Sequence, residues 1–183
     1  MFLKFNREDA SFGITKGNLA RDSAQYRRAV SRMSERYDGE VIAQSFIPGR
    51  EVSVAVWGNS RVESLPPWEL GLRGDEVFAT ARVKFDASYR RKRGIRARKY
   101  AGDGAEELRR RSARMFRALD MSGYARFDFR IDASGESYLI DVNANPNLAR
   151  GEDFACSAGA EGIEYIEMID KIVRLGLAYA PRR

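Results

Sequence analysis

The hydrophobic and polar positions of this chain alternate in some segments and follow a helical period in others. Alternation and short apolar runs predict strands over 1–5, 40–47, 51–57 and 61–65. Three- and four-residue spacing predicts helices over 22–37, 103–119 and 162–177. For the glycine-punctuated segment 71–102 we predict loops around one strand near 77–85. The apolar runs are only a few residues long, which excludes a membrane-spanning segment.

The strongest pattern lies in 125–147, ARFDFRIDASGESYLIDVNANPN. Its two halves alternate between apolar and polar residues around the turn formers Ser134 and Gly135, which predicts a hairpin. A four-residue turn over 133–136 would pair Asp132 with Ser137. That register places Asp128 opposite Asp141, and Arg126 opposite Asn143, on the polar face.

Two directly opposed carboxylates repel each other, so this face of the hairpin needs a compensating cation. Mg²⁺ suits the site because it takes oxygen ligands, often one or two carboxylates together with substrate phosphates. The alternative is a surface ladder in which Arg126 and Arg130 neutralise the aspartates. The pattern by itself leaves both interpretations open.

The composition excludes several classes of chemistry. The chain of 183 residues has no histidine, which rules out Ser-His-Asp or Cys-His catalysis and an HExxH zinc site. Its one cysteine, Cys156, rules out internal disulfides and thiolate metal clusters, and it is typical of a protein from the reducing cytoplasm. Chemistry must therefore rest on carboxylates, Lys, Arg, amides, hydroxyls and an oxygen-binding cation.

The net charge of +6 comes from one segment. Residues 90–99, RRKRGIRARK, contain seven basic side chains and no acidic one, and the rest of the chain has 25 basic and 26 acidic residues. This segment could recruit an acidic substrate, bind nucleic acid or form a solvated loop. The absence of interleaved aromatic residues, which stack on single strands, argues against nucleic acid.

RFDFRID followed by YLIDVNANPN resembles the ATP-grasp carboxylate–amine ligases, and the D-alanine–D-alanine ligase branch most closely. The resemblance implies an α+β ATP-grasp fold with mixed and antiparallel sheets flanked by helices. It also implies that Asp128, Asp141 and Asn143 are ligands of Mg²⁺, or Mn²⁺, ions that bridge the ATP phosphates. Arg126 would then stabilise the acyl-phosphate and the tetrahedral intermediate.

Other segments resemble the ATP-binding part of the same family. FLKFNREDASFGITK resembles its strand lysine and phosphate loop, which implies ATP contacts from Lys4, Glu8, Ser11 and Gly13. VIAQSFIPGREVSV resembles the interdomain hinge, which implies an adenine site lined by Gln44, Ser45, Phe46 and Ile47, and a ribose contact from Glu51. Lys84 resembles a further phosphate-contacting lysine. Without the resemblance, Pro48–Gly49 would be read as a plain β-hairpin turn.

The resemblance begins at the family's phosphate loop, so we expect the N-terminal substrate domain and the preceding half of the nucleotide lobe to be absent. It implies that 1–50 belong to the nucleotide lobe and 51–183 to the C-terminal lobe with the metal site. Two hydroxyl positions of D-alanine ligases are Ala10 and Phe85 here, and the loop NANPNLARGEDF lacks their Ser-Pro-Gly stretch. The resemblance therefore leaves the substrate open.

The implied function is an ATP- and Mg²⁺-dependent ligase that phosphorylates a carboxylate, after which an amine displaces phosphate to form an amide or peptide bond. Its substrate would be a small amino acid or carboxylate. One alternative is a non-catalytic fragment, or one that needs a partner chain supplying the N-terminal half. Another is a polyanion-binding module acting through 90–99. A homodimer and a cytoplasmic location are further expectations.

Overall fold

A computed structural model describes residues 1–8, 12–36 and 39–180. The chain forms two compact units, one comprising Met1–Pro48 with Leu72–Arg96 and the other Gly49–Gly71 with Ala97–Arg183. The first division lies two residues from the predicted lobe boundary at 50. Residues 72–96, however, group with the N-terminal segment rather than with the C-terminal one. None of the helices in the described ranges is long and apolar enough to cross a membrane.

The first unit contains a two-stranded sheet covered by a helix. Its elements are β1 (Phe2–Phe5), a 3₁₀ turn (Lys16–Asn18), α1 (Ser23–Arg36), β2 (Val41–Gln44), α2 (Ala81–Phe85) and α3 (Ala87–Arg93). Antiparallel β1 and β2 place Leu3 and Phe5 in a core with Ala29 and Met33 of α1. Alternation in β1 therefore leaves Phe2 and Lys4 on the opposite face of the sheet.

The second unit is built on a six-stranded sheet. Its elements are β3 (Arg50–Gly58), β4 (Val62–Ser64), β5 (Trp68–Gly71), β6 (Arg96–Lys99, whose first residue falls in the first unit's range), α4 (Ala105–Ala118), β7 (Gly123–Ile131), β8 (Ser137–Asn143), α5 (Asp153–Gly159) and α6 (Tyr165–Leu177). The strands follow the order β6-β5-β3-β7-β8, and β4 also pairs with β3. The mixture of antiparallel sheets and helices agrees with the predicted α+β class.

Helices cover both faces of this sheet around the central strand β3. Val54 and Phe127 pack on one face with Phe116 of α4. Trp57 lies on the other face with Phe154 of α5 and Met168 of α6. Because β3 is buried on both faces, it reads as a nearly continuous apolar run, VSVAVW.

The Pro48–Gly49 segment connects two different sheets, so the plain β-hairpin interpretation is wrong. β2 pairs with β1, whereas β3 pairs with β4, β5 and β7. Gly49 has a φ of +142°, and a Cβ at this position would lie 1.9 Å from the carbonyl oxygen of Ile131. Glycine is therefore required where the chain enters the second sheet.

The strand predicted near 77–85 is also wrong, because this segment forms α2 and leads into α3. Thr80 caps α2 by accepting a hydrogen bond from the Val83 N–H at 3.3 Å, and Asp86 caps α3 by accepting one from the Tyr89 N–H at 2.8 Å. Such caps satisfy amide groups that a short helix leaves unpaired. Helix α5 was not predicted at all, since its seven residues are too few for a clear helical period.

Candidate functional site: an acidic face on the second unit and an aromatic face on the first

The metal-binding residues predicted from the sequence come together on β7 and β8. Asp128 pairs with Asp141 and Arg126 pairs with Asn143, which confirms these two predicted pairs. The predicted turn is wrong: Ile131, not Asp132, pairs with Ser137, so the far end of the hairpin is shifted by one residue. A β-bulge between Asp128 and Phe129 restores the predicted register.

Arg126 and Asp128 form a bidentate ion pair within β7. Arg126 Nε donates to Asp128 Oδ1 at 2.7 Å and Nη2 donates to Oδ2 at 2.8 Å, and each side chain is about one-seventh exposed, at 15% and 14%. Burial acts to lower the pKa of Arg126, but the charges of Asp128, Asp153 and Asp141 outweigh it and raise the pKa above its usual value. The guanidinium is therefore a permanent, well-oriented cation.

Asp153 is a member of this face that sequence reasoning missed. It is the first residue of α5, and Ser53 Oγ of β3 donates a hydrogen bond to its Oδ2 at 3.3 Å. Burial raises the pKa of Asp153, Arg126 opposes this rise, and Asp128 and Glu152 reinforce it. The acidic pair in GED, after the Asn- and Pro-rich loop, could have pointed to Asp153. Because α5 was not predicted, however, the sequence provided no reason to place this pair beside the strands.

The donor set on this face fits a divalent cation such as Mg²⁺. Three carboxyl groups, those of Asp128, Asp141 and Asp153, act on the guanidinium of Arg126, so acidic side chains outnumber the one cation on this face. Asp141 is exposed and Asn143 is half-buried beside it. In the described ranges no group of three or more Asp, Glu, Cys or His side chains is arranged to hold a metal by itself. A cation here would need further oxygen ligands, as Mg²⁺ commonly obtains from phosphates.

The first unit brings several predicted ATP contacts to one face of its sheet. Lys4 pairs with Ile42, and Phe2 pairs with Gln44. The ring of Phe2 lies 6.2 Å from that of Phe46 and 4.9 Å from that of Phe78, measured between centroids. Phe78 was not predicted from the sequence, because it lies far along the chain in a segment without a clear period. A lysine beside an aromatic cluster suits a ligand with a charged end and a flat apolar end.

The other predicted ATP contacts of the first unit differ in their burial and in their hydrogen bonding. Gly13 has a φ of +68°, and its carbonyl oxygen accepts a hydrogen bond from Asn18 Nδ2 at 3.2 Å. Lys84 lies in α2 and is half-buried. Glu8 and Ser45 are exposed, whereas Ile47 is partly buried. Ser11 and Ala10 lie outside the described residues.

Glu51 is engaged in an ion pair within the second unit. Its Oε2 accepts a hydrogen bond from Arg130 Nη1 at 3.3 Å, and Arg130 Nη2 also donates to the carbonyl oxygen of Gly49 at 3.0 Å. Arg130 thus has Glu51 of β3 as an ion-pair partner, which the predicted surface ladder of Arg126 and Arg130 did not include.

Among the residues that the structure describes, side chains of three of the seven basic residues in 90–99 form hydrogen bonds. Arg90 donates to the carbonyl oxygens of Val83 and Lys84, Arg93 donates to Asp75 at 3.0 Å, and Arg98 donates to Glu69 at 3.2 Å. The segment is ordered as the end of α3 and as β6. It is therefore not the irregular loop that the composition predicted.

Comparison with known proteins gives the same family over nearly the whole chain. The sequence profile described as D-ala D-ala ligase C-terminus matches residues 1–174. A D-alanine–D-alanine ligase of Heliobacterium modesticaldum is 33% identical over 181 residues, covering 97% of this chain and 46% of the relative. The uncharacterized protein y4sG of Sinorhizobium fredii is 32% identical over 172 residues, covering 93% of this chain and 50% of that protein. The chain thus spans about half the length of such relatives.

Solved structures share the fold. The VanG D-Ala:D-Ser ligase of Enterococcus faecalis matches with a TM-score of 0.75 and 24% identity, over 95% of this chain and 48% of that one. The D-alanine–D-alanine ligase of Bacillus anthracis complexed with ATP matches with a TM-score of 0.69 and 20% identity, over 96% of this chain and 59% of that one.

Proposed function

Because this chain belongs to the family of D-alanine–D-alanine ligase C-terminal domains, we propose that it supplies the Mg·ATP-binding part of an ATP-dependent ligase. The reaction would join a carboxylate to an amine through an acyl-phosphate. The observation that carries the proposal is the pairing of Asp128 with Asp141 beside the Arg126–Asn143 pair.

The acidic face of β7 and β8 would hold the metal through Asp128, Asp141 and Asn143. Mg²⁺ bound there would neutralise the charge of the phosphate oxygens that complete its coordination. When Asp128 binds the cation, it would give up one of its two hydrogen bonds with Arg126. The guanidinium N–H group released in this way could then donate to the substrate. Arg126 would then stabilise the negative charge that develops on the acyl-phosphate and on the tetrahedral intermediate.

The first unit would bind the nucleotide through Lys4, Glu8, Ser11, Gly13 and Lys84 at the phosphates and through Gln44, Ser45, Phe46 and Ile47 at the base. The Phe2–Phe46–Phe78 cluster supports this assignment, since aromatic edges and faces provide a surface for adenine. Glu51 would take the ribose hydroxyls while it keeps its ion pair with Arg130. Catalysis of this type depends on positioning and charge stabilisation, which is consistent with a chain that lacks histidine.

The complete activity and its substrates remain proposals, because the chain covers about half of each curated relative. The relative from Heliobacterium modesticaldum is named for D-alanine, and one structural neighbour is named for D-alanine and D-serine. We propose a small amino acid as the substrate class. The two predicted lobes, 1–50 and 51–183, also remain a proposal, with 72–96 reassigned to the first of them.

Isothermal titration calorimetry with Mg·ATP tests the nucleotide-binding part of the proposal. We expect saturable binding that is lost when EDTA removes the metal, while circular dichroism shows an unchanged fold. A folded protein that binds ATP equally well with and without Mg²⁺, or not at all, would contradict the assignment of Asp128, Asp141 and Asn143.

Turnover requires a second experiment, because a non-catalytic fragment would also bind Mg·ATP. Phosphate release is measured with this chain alone and with a protein that carries an N-terminal ligase half, in the presence of D-alanine or D-serine. Release by this chain alone indicates a self-sufficient enzyme, and release only in the mixture indicates a partner-dependent one. A homodimer and a cytoplasmic location stay predictions.

A further inference from the structure

The first unit contains a buried carboxylate, Glu76, which the nucleotide site proposed above does not use. Its side chain is only 1% exposed. Lys16 Nζ lies 2.9 Å from its Oε1, and the hydroxyl of Tyr89 donates to the same oxygen. The other oxygen, Oε2, is buried and accepts no hydrogen bond from the residues that the structure describes.

These contacts of Glu76 are a poor way to stabilise the folded protein. A buried carboxylate oxygen without a hydrogen bond costs free energy, and its cationic partner Lys16 is about half exposed, which weakens the ion pair. Apolar residues in place of a buried ion pair often leave the free energy of unfolding unchanged or raise it. The position of Glu76 in the fold, rather than its contribution to stability, is therefore the feature that needs an explanation.

Glu76 connects the elements that carry two groups of the proposed phosphate contacts. On one side, Lys16 begins the 3₁₀ turn that follows Gly13, and Asp75 accepts a second hydrogen bond from Lys16 Nζ at 2.6 Å. Asn18, at the end of that turn, donates to the Gly13 carbonyl oxygen. Movement of Lys16 would therefore displace Gly13.

On the other side, Tyr89 is fixed in α3 between two guanidinium groups. Arg82 lies 4.3 Å and Arg93 5.4 Å from the centroid of its ring, and its N–H bonds to the capping carboxylate of Asp86. The next residue, Arg90, donates to the carbonyl oxygens of Val83 and Lys84. The backbone of Lys84 is thus tied to the helix that carries Tyr89.

We propose that Glu76 is a positioning residue that links the 3₁₀ turn after Gly13, through Lys16, to α2 and α3, which carry Lys84 and Tyr89. It holds Gly13 and Lys84 in the arrangement that the phosphates of ATP require. The hydrogen bonds of Lys16 to Asp75 and then to Glu76 raise its pKa above the usual value, so the fold favours the cation that pairs with Glu76. The inference rests on the proposed binding of ATP.

The test separates phosphate binding from base binding. Affinities for Mg·ATP and for adenosine are measured by calorimetry in the wild type, Glu76→Gln, Tyr89→Phe and the matched control Glu35→Gln, which changes an exposed glutamate on α1. For Glu76→Gln we expect Mg·ATP binding to weaken roughly tenfold, because the variant removes the negative charge that pairs with Lys16. For Tyr89→Phe we expect a loss of about threefold, because it removes one hydrogen bond to the carboxylate. Adenosine binding should not change, and the control should match the wild type.

Amide hydrogen exchange gives a readout that does not need nucleotide. The N–H groups of Asn18 and Leu19 close the 3₁₀ turn at Lys16, and both should exchange faster in Glu76→Gln and in Tyr89→Phe. Unchanged exchange and unchanged Mg·ATP affinity in folded variants would overturn the inference, as would an equal loss of ATP and adenosine binding. A wild type that binds no Mg·ATP would instead overturn the proposed function.

Discussion

Asp128 and Asp141 face each other across β7 and β8 because Ile140 is an additional residue on β8. At the closed end of the hairpin Ile131 pairs with Ser137 and Phe129 with Leu139, a register that would put Ile140 opposite Asp128. The bulge turns Asp141 onto the face of Asp128 instead. Bulges of this kind re-aim side chains and are frequent beside functional sites.

The repulsion between Asp128 and Asp141 predicts opposite effects on stability and on binding. In Asp141→Asn we expect the metal-free protein to gain roughly 0.2–1 kcal/mol in its free energy of unfolding, because like charges directly opposed in a sheet are destabilising. The same variant should bind Mg·ATP at least tenfold more weakly. Urea unfolding without metal and calorimetry with Mg·ATP measure the two effects.

Glu136→Gln is the matched control, since Glu136 is an exposed carboxylate in the turn of the same hairpin. It should change neither quantity. A loss of stability in Asp141→Asn would show that the carboxylate serves the fold rather than a cation.

The bidentate pair of Arg126 and Asp128 predicts a large cost when one member is removed. Arg126→Met should lower the free energy of unfolding by about 3 kcal/mol, because it leaves the mostly buried carboxylate of Asp128 without its main partner. The double variant Arg126→Met/Asp128→Leu should recover most of that loss. Chemical unfolding of the wild type, both single variants and the double variant gives the coupling between the two side chains. Additive effects would mean that the pair contributes no interaction energy.

The raised pKa of Asp153 predicts a stability difference that depends on pH. A carboxyl whose pKa is higher in the folded than in the unfolded protein favours folding when it is protonated, and this contribution is lost as the pH rises through the folded pKa. Asp153→Asn should therefore be more stable than the wild type at pH 7. Each kcal/mol that the variant gains in its free energy of unfolding should raise Tm by roughly 2–4 °C. The advantage should vanish below about pH 3.9, the usual pKa of Asp.

Thermal unfolding of both proteins between pH 3 and pH 8 checks this prediction. A constant difference in Tm at every pH would show that the effect of the substitution is unrelated to ionisation of Asp153. Ser53→Ala should raise the pKa of Asp153 further, because it removes the hydrogen bond that favours the charged form.

Because Arg90 contacts the end of α2, we expect the basic residues of 90–99 to contribute unequally to the free energy of unfolding. Arg90→Gln should lower the free energy of unfolding by about 1 kcal/mol, since the side chain donates to carbonyl groups that the helix leaves unpaired. The side chain of the neighbouring Arg91 is exposed and forms no hydrogen bond or ion pair with the described residues, so Arg91→Gln should be neutral. Equal effects in chemical unfolding would contradict the structural role of Arg90.

Much of the fold could be predicted because local patterns and tertiary structure agree. The helical period of α4 and the alternation in β1 and in the first part of β7 follow from one more buried and one more exposed side. The prediction failed at α2 and α3, where caps from Thr80 and Asp86 decide the conformation of short segments. The predicted helix over 162–177 is confirmed as α6, but the packing decides which side is buried: Met168 is buried, whereas Ile166, Val173 and Leu177 are exposed.

By itself the sequence determined which residue types are available, and therefore the chemistry: carboxylates, an amide, lysines and arginines with no histidine. It also determined the alternation that puts Asp128 and Asp141 on the polar side of their strands. The tertiary structure alone decided the bulge at Ile140, the partner of Arg130 and the approach of Asp153 and Phe78 to residues distant in the chain. These contacts depend on how sheets and helices pack, and packing couples positions that no local period connects.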